Sequence, residues 1–320
     1  MSPEPGSRYG PPDASAAPRY AGVRTFARCP HLRELDDVDV AVVGIPFDTA
    51  TSFRPGARFG PEAIRSASAL LRPWNPELEV DVFAARSVID YGDLDATPGN
   101  AERTTEQIAA GLEPLLARGI VPIVLGGDHS IALGELRAHA AAAGGPVAVV
   151  LLDAHADTCD AYYGEPLFHG TILRRAAEEE VVAPERSLLA GMRGSLYARG
   201  DLDDARALGY DVVPDAELRS LGPDGFASRA RERVGEGAAV LGFDIDVVDP
   251  AFAPGTGTPE AGGLTSREAL AHVRALTGIR FRGFDLVEVA PAYDGVGQTT
   301  AILAANIAHE FLALSALARP

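Results

Sequence analysis

A chain of 320 residues with 47% hydrophobic and 23% charged residues can bury a full core and is not a disordered polymer. Its formal charge is −17, which argues against the basic face that nucleic acid or an anionic membrane would require. All 28 basic residues are arginine, so Schiff-base, phosphate-loop and general-base lysine chemistry are all excluded.

Residues 1–20 are rich in Pro, Gly, Ser and Ala and read as a flexible N-terminal arm ahead of a single domain, 21–320. Residues 1–18 carry no apolar core of signal-peptide length, so no secretory signal is expected there. The longest apolar stretch noted, around 140–152, is broken by Gly144-Gly145-Pro146 and is too short to span a bilayer. Cys29 and Cys159 make no disulfide framework, and a reduced, cytoplasmic setting is expected.

Short apolar runs then alternate with helical patterns. Strands are predicted at 40–45, 87–90, 120–125, 147–152, 187–190, 210–213, 239–243 and 281–286. Helices are predicted at 61–71, 101–118, 131–143, 171–179, 201–208, 224–234, 266–276 and 299–317. Pro61 and Pro223 suit first-turn positions, and Ser266 is read as an N-cap. The alternation predicts an α/β protein with a parallel sheet, either an open three-layer sandwich or a closed barrel. Both place their chemistry at the C-terminal ends of strands.

Unusual polar residues gather at such ends. The strand ending at Leu125 runs into Gly126-Gly127-Asp128-His129-Ser130, and that ending at Leu152 runs into Asp153-Ala154-His155-Ala156-Asp157-Thr158. The strand ending at Phe243 runs into Asp244-Ile245-Asp246, and that ending at Leu286 leads to Glu288. In an extended segment, residues two apart share a face, so Asp153, His155 and Asp157 converge, as do Asp244 and Asp246. Four carboxylates this close need cations to neutralise them. Four Asp and two His offer mixed O/N ligation suited to Mn²⁺, with Fe, Co and Zn as alternatives. Two cations sharing carboxylates would sit roughly 3.5 Å apart and acidify a water between them.

These motifs, together with Asp244 through Glu260, resemble the ureohydrolases, the arginase/agmatinase family. The resemblance extends from Arg19-Tyr20 and Phe26 through Arg54 to Pro61, and on to Val287-Glu288-Val289-Ala290-Pro291. It implies a three-layer α/β/α sandwich with an eight-stranded, mainly parallel sheet, two Mn²⁺ per subunit and a homotrimer or homohexamer. It also implies that His129, Asp153, Asp157 and Asp244 hold one metal, and Asp153, His155, Asp244 and Asp246 the other. Asp157 would hydrogen-bond the nucleophile, Glu288 would receive the guanidinium in a bidentate fork, and His169 would shuttle the proton to the leaving amine.

Plainer roles stand beside these. Glu288 would pair with Arg280 or Arg282, and His169 would stack on Tyr162 or Tyr163. His31, His139, His272 and His309 read as structural or surface residues, Cys159 as inert, and Asp128 and Asp249 as orienters or caps. Thr256 to Glu260 reads as pocket wall or tight turn, and the arginines at 229, 231 and 233 as a solvated, ion-paired face.

The segment from Cys159 to Phe168 carries no Asn or Arg, which disfavours arginine as substrate. Its acids, Asp160 and Glu165, and the acidity of the whole chain favour a second positive charge on the substrate and hence agmatine. The alternative is an ω-guanidino acid (guanidinobutyrate, guanidinopropionate or a proclavaminate-type molecule), with Arg54, Arg58 or Arg72 meeting its carboxylate. Arg72-Pro-Trp-Asn75 and Met192 to Tyr197 resemble guanidinobutyrase-like sequences at least as well as agmatinases. A metal-free ligand-binding or regulatory protein is the non-enzymatic alternative.

Overall fold

The computed structural model describes residues 8–318. Eight strands form one sheet: β1 (Val40–Ile45), β2 (Val88–Asp93), β3 (Val121–Gly126), β4 (Ala148–Leu152), β5 (Leu188–Met192), β6 (Asp211–Pro214), β7 (Ala239–Asp244) and β8 (Phe281–Val287). Their order is β2-β1-β3-β8-β7-β4-β5-β6, and every neighbouring pair is parallel. The open sheet decides against the barrel. Its strands are apolar throughout because both faces are covered: Val40, Ala41, Val42 and Val43 all have 0% exposure. Each buried Val, Leu or Ile contributes about 1.5–3 kcal/mol.

Helices α1 (Gly60–Ser68), α6 (Asp215–Val234), α7 (Ser266–Ala275) and α8 (Thr299–Leu317) pack together over one face. On the other face lie α2 (Ala101–Leu116), α3 (Ala132–Ala143), α4 (Ile172–Glu178) and α5 (Asp201–Ala207). This is the three-layer sandwich. Helix α8 is long and apolar enough to cross a membrane by length and composition, but here its apolar surface is buried beneath α1 and α7.

The elements differ from expectation where local signals were read too narrowly. The helix expected at 224–234 is present as the second half of α6, and an unexpected helical segment from Asp215 precedes it. Gly222 breaks α6 with φ 62°, and Pro223 restarts it. Helix α7 is capped by Thr265, not Ser266. The Thr265 hydroxyl accepts from the Glu268 N–H, and the Glu268 carboxylate accepts from the Thr265 N–H, a reciprocal cap. A two-stranded hairpin, Trp74–Asn75 with Val80–Asp81, was not anticipated. Of the arm, residues 1–7 lie outside the described residues. Tyr9 is draped rather than loose: its N–H donates to Ser87 Oγ, and its carbonyl accepts from the Val88 N–H at the sheet edge.

The topology positions the site. Strands β3, β8, β7 and β4 are consecutive neighbours in the middle of the sheet. They are the four strands whose C-terminal ends carry His129, Glu288, Asp244 and Asp153. At about 4.8 Å between strands, their ends share one narrow edge.

Candidate metal centre and substrate cavity

Asp153, Asp157, Asp244, Asp246, His129, His169 and Glu288 are all buried, and the His155 side chain is 36% exposed. His129 Nδ1 lies 2.8 Å from Asp157 Oδ2, 3.2 Å from Asp153 Oδ2 and 3.6 Å from Asp244 Oδ2. His155 Nδ1 lies 3.1 Å from Asp246 Oδ2 and 3.5 Å from Asp153 Oδ1. Two ligand-like groups result, His129–Asp153–Asp157 and Asp153–His155–Asp246, joined by Asp153.

The convergence does not come from strand alternation. Asp244 is the last residue of β7, and the others lie in turns beyond the strands. Asp157 has φ 51° and Glu288 φ 61°, a left-handed backbone that non-glycine residues adopt at a cost of order 1–3 kcal/mol. Residues Ile245–Val247 form a 3₁₀ turn that swings Asp246 beside Asp244, whose Oδ1 accepts the Asp246 N–H.

The donor set fits divalent cations. His129 Nδ1 and Asp153 Oδ2 are buried without any hydrogen-bond partner among the described residues. Such atoms are costly unless something binds them. Burial and the nearby Asp246 charge hold the Asp244 carboxyl well above the usual carboxylate range. Burial opposes charge on His129, but Asp153 and Asp157 outweigh it and raise its basicity strongly. His155 is raised in the same way by Asp246 and Asp153. A cation bound here would take the place of these protons.

Glu288 lies between the centre and His169. Its Oε1 accepts the His129 backbone N–H at 3.0 Å and faces His169 Nδ1 at 2.9 Å. With Oε1 so occupied, only Oε2, buried and unpartnered, is free, which corrects the expected fork with both oxygens open. Gly257 faces this oxygen: a Cβ there would stand 3.4 Å from Glu288 Oε2 and 2.9 Å from the Arg54 carbonyl. Arg280 and Arg282 are exposed and pair with neither oxygen, so the plain ion-pair reading of Glu288 does not hold. For His169, burial disfavours the imidazolium but the Glu288 charge outweighs it, pushing the ring up to about 9. Tyr162 lies 6.4 Å from the His169 ring, tilted rather than stacked. Asp128, pushed up to about 7 by burial and Glu288, caps the turn at His129 and accepts the Ala50 N–H. Asp249 caps the Ala251 and Gly262 amides.

A cavity of about 650 Å³ opens onto this cluster. Ser52, Arg54, Tyr162, Tyr197, Thr258 and Glu260 are among its walls. Asp160 does not line it. Its side chain is 83% exposed and pairs with Arg175, so the expected substrate contact is corrected: a neighbour in sequence points outward. Arg58 is consumed by buried Asp48. Arg193 donates to the carbonyls of Asp246, Val247 and Glu260. Arg54 is held only by the faces of Phe53 and Tyr293, each 5.2 Å away, and makes no hydrogen bond through its guanidinium among the described residues.

Sequence reading missed Ser52, which touches His169; it read Thr258 as pocket wall or tight turn, and there the residue lines the cavity and its hydroxyl also reaches Asp246. Neither carries a spacing signal. His139, expected to be a structural or surface residue, is a structural one. The ring is buried against Gly283, and burial pushes it down to about 4.

Buried acids and imidazoles at the C-terminal edge of a parallel sheet, under an open cavity, define a metal-dependent α/β hydrolase site. Residues 38–314 match the family model described as "Arginase family". The chain is 43% identical over 300 residues to proclavaminate amidinohydrolase of Streptomyces clavuligerus, covering 94% of this chain and 95% of that protein. The solved structure of that enzyme superposes with a TM-score of 0.89, covering 95% of this chain and 100% of that one. Guanidinobutyrase of Pseudomonas aeruginosa is 41% identical over 311 residues, covering 95% and 96%. Mitochondrial agmatinase of Gallus gallus is 42% identical over 309 residues, covering 96% and 90%. The chain belongs to the arginase family.

Proposed function

We propose that this arginase-family amidinohydrolase cleaves the guanidino group of a linear ω-guanidino acid, releasing urea and a primary amine. The observation that carries the substrate class is Arg54, a cavity arginine that no carboxylate or carbonyl among the described residues engages. The cavity's aromatic walls suit a methylene chain between that cation and Glu288. Agmatine is the second reading, favoured by the cavity carboxylates Asp201, Asp204 and Glu260.

Two divalent cations, manganese first by donor chemistry, would be held by His129, Asp153, Asp157 and Asp244 and by Asp153, His155, Asp244 and Asp246. When bound they lower the pKa of a water so that it attacks as hydroxide at neutral pH. The protein's own groups do the rest. Glu288 Oε2 draws one edge of the guanidinium into the slot left by Gly257. Asp157 is placed to orient the attacking water, and His169 to protonate the leaving nitrogen.

The test is urea release from 4-guanidinobutyrate and from agmatine by manganese-reconstituted protein, wild type and Arg54→Ala. Higher kcat/KM for the acid, falling roughly tenfold or more in the variant with the agmatine value held, supports the reading. Preference for agmatine that Arg54→Ala leaves unchanged selects the second reading.

A further inference from the structure

The loop at Ala50–Ser52 is sewn to the turn carrying His169. The His169 N–H donates to the Ala50 carbonyl at 2.9 Å. The Ser52 N–H donates to His169 Nε2 at 3.0 Å, and the Ser52 hydroxyl lies 2.8 Å from the same nitrogen. The loop is tied further by the Ala50 N–H to Asp128 and by the Tyr163 hydroxyl to the Ser52 carbonyl.

A backbone amide can only donate. Nε2 is therefore an acceptor in this arrangement, and the ring proton sits on Nδ1, donating to Glu288 Oε1. If a proton reached Nε2, it would face the Ser52 N–H. Of the two Ser52 groups, only the hydroxyl can reverse its role, donating to a neutral ring and accepting from a charged one. The same serine lines the substrate cavity beside His169, which is 7% exposed and borders it at one edge.

We infer that the Ser52 hydroxyl is the proton port of His169, passing protons between the cavity water and Nε2 while Nδ1 serves the reacting centre. This rests on the amidinohydrolase reading above. The overall change is R–NH–C(NH₂)₂⁺ + H₂O → R–NH₃⁺ + OC(NH₂)₂. To charge the ring, cavity water gives a proton to Ser52 Oγ as the Ser52 hydroxyl proton moves to Nε2. The C–N bond then breaks, its electron pair staying on the departing nitrogen. That nitrogen takes one proton from Nδ1 and one from the nucleophile's own O–H. To reset, the Nε2 proton returns through Oγ to the cavity, and the water that becomes the next nucleophile gives a proton to Nδ1. Two protons enter the ring and two leave it, and the tautomer found here is restored.

Ser52 touches only His169 in this scheme and is a positioning and relay residue. The test compares Ser52→Ala, which keeps the amide and loses the hydroxyl, with Ser52→Thr, which keeps both. Urea release by the manganese-loaded protein is followed from pH 6 to 9 in water and in D₂O. The ring tautomer is read separately by ¹⁵N NMR on metal-free protein at about pH 10, above the ring's titration at about 9, where the imidazole is neutral. Expected in Ser52→Ala are a roughly tenfold lower kcat, KM within twofold, a larger solvent isotope effect and partial rescue by added imidazole. Ser52→Thr should restore kcat, and ¹⁵N shifts should show the proton on Nδ1 in wild type and Ser52→Ala alike. Unchanged kcat in Ser52→Ala, equal loss in both variants, or a wild-type proton on Nε2 would overturn the relay alone. A wild type that releases no urea from any guanidino compound would overturn the functional reading and the relay with it.

Discussion

Glu288→Gln tests the centre most sharply because the structure dictates how the amide must sit. Glu288 Oε1 is approached by two donors, the His129 N–H at 3.0 Å and His169 Nδ1 at 2.9 Å. In the variant the amide oxygen must take that place, which turns the NH₂ toward the cavity where Oε2 now stands. A guanidinium entering the slot then meets a donor instead of an anion. The charge-assisted bond at Oε2, about 1.5–3 kcal/mol, is lost, and stranding two donors against each other costs about 1–3 kcal/mol more. The total of about 3–6 kcal/mol corresponds to a fall in kcat/KM of roughly 10²- to 10⁴-fold. Initial rates of urea release across substrate concentrations measure it, with metal content and melting temperature confirming an intact centre. A drop of less than about tenfold with both controls unchanged would refute the placement of the guanidinium at Oε2.

Three further outcomes follow from the same geometry. Asp244, His129 and His155 all hold protons more tightly than usual in the metal-free protein, so cation uptake must expel protons. Calorimetry of Mn²⁺ binding in buffers of different ionisation heat should show proton release and affinity rising with pH. Burial, aided by the Arg282 charge, pushes His139 down to about 4, so the unfolded chain binds its proton first as pH falls. That contribution is fully present above about pH 6.5 and lost progressively toward pH 4, by about 3 kcal/mol. Denaturation at pH 7 and pH 4.5 should therefore show His139→Leu losing less stability on acidification than wild type. Gly257→Ala puts a methyl 3.4 Å from Glu288 Oε2 and 2.9 Å from the Arg54 carbonyl. It should raise KM several-fold while the metal content stays unchanged, as measured by urea kinetics and elemental analysis.

Much of this was readable from residues alone because the signals were local. Apolar runs such as Val40–Ile45 are strands wherever they pack, and Asp or His at their ends follows from position. Strand order was not readable. That β8 inserts between β3 and β7 depends on pairings far apart in the chain, such as Leu286 beside Leu125 and Phe243. Asp160 shows the opposite error. It stands three residues beyond Asp157, yet the left-handed turn at Asp157 redirects the chain and Arg175 takes the carboxylate outward. Ser52 lies 117 residues from His169, and nothing in its neighbourhood marks it as a partner. Thr265 escaped for a smaller reason: three residues on from Ser266 stands Ala269, so with the cap placed at Ser266 the reciprocal partner Glu268 is passed over by one residue.

The acids of the centre share a construction that explains how so many can be held together. Asp153 Oδ1 accepts the His155 N–H, Asp246 Oδ1 the Ala154 N–H, Asp244 Oδ1 the Asp246 N–H, and Glu288 Oε1 the His129 N–H. In each, one oxygen is clamped by a backbone amide of its own or a neighbouring turn. The opposite oxygens of Asp153, Asp244 and Asp246 face the imidazoles, and that of Glu288 is left free. Backbone donors offset part of the repulsion among the carboxylates without occupying the inward oxygens, and they fix each χ angle before any cation arrives. Two of the four clamps run between different strand ends, Ala154 to Asp246 and His129 to Glu288, so the turns brace one another. The left-handed backbone at Asp157 and Glu288 is the strain this bracing sustains. The ordering entropy is met by folding of the sheet and its turns, which leaves more of the cation's binding free energy for holding the ion and acidifying its water.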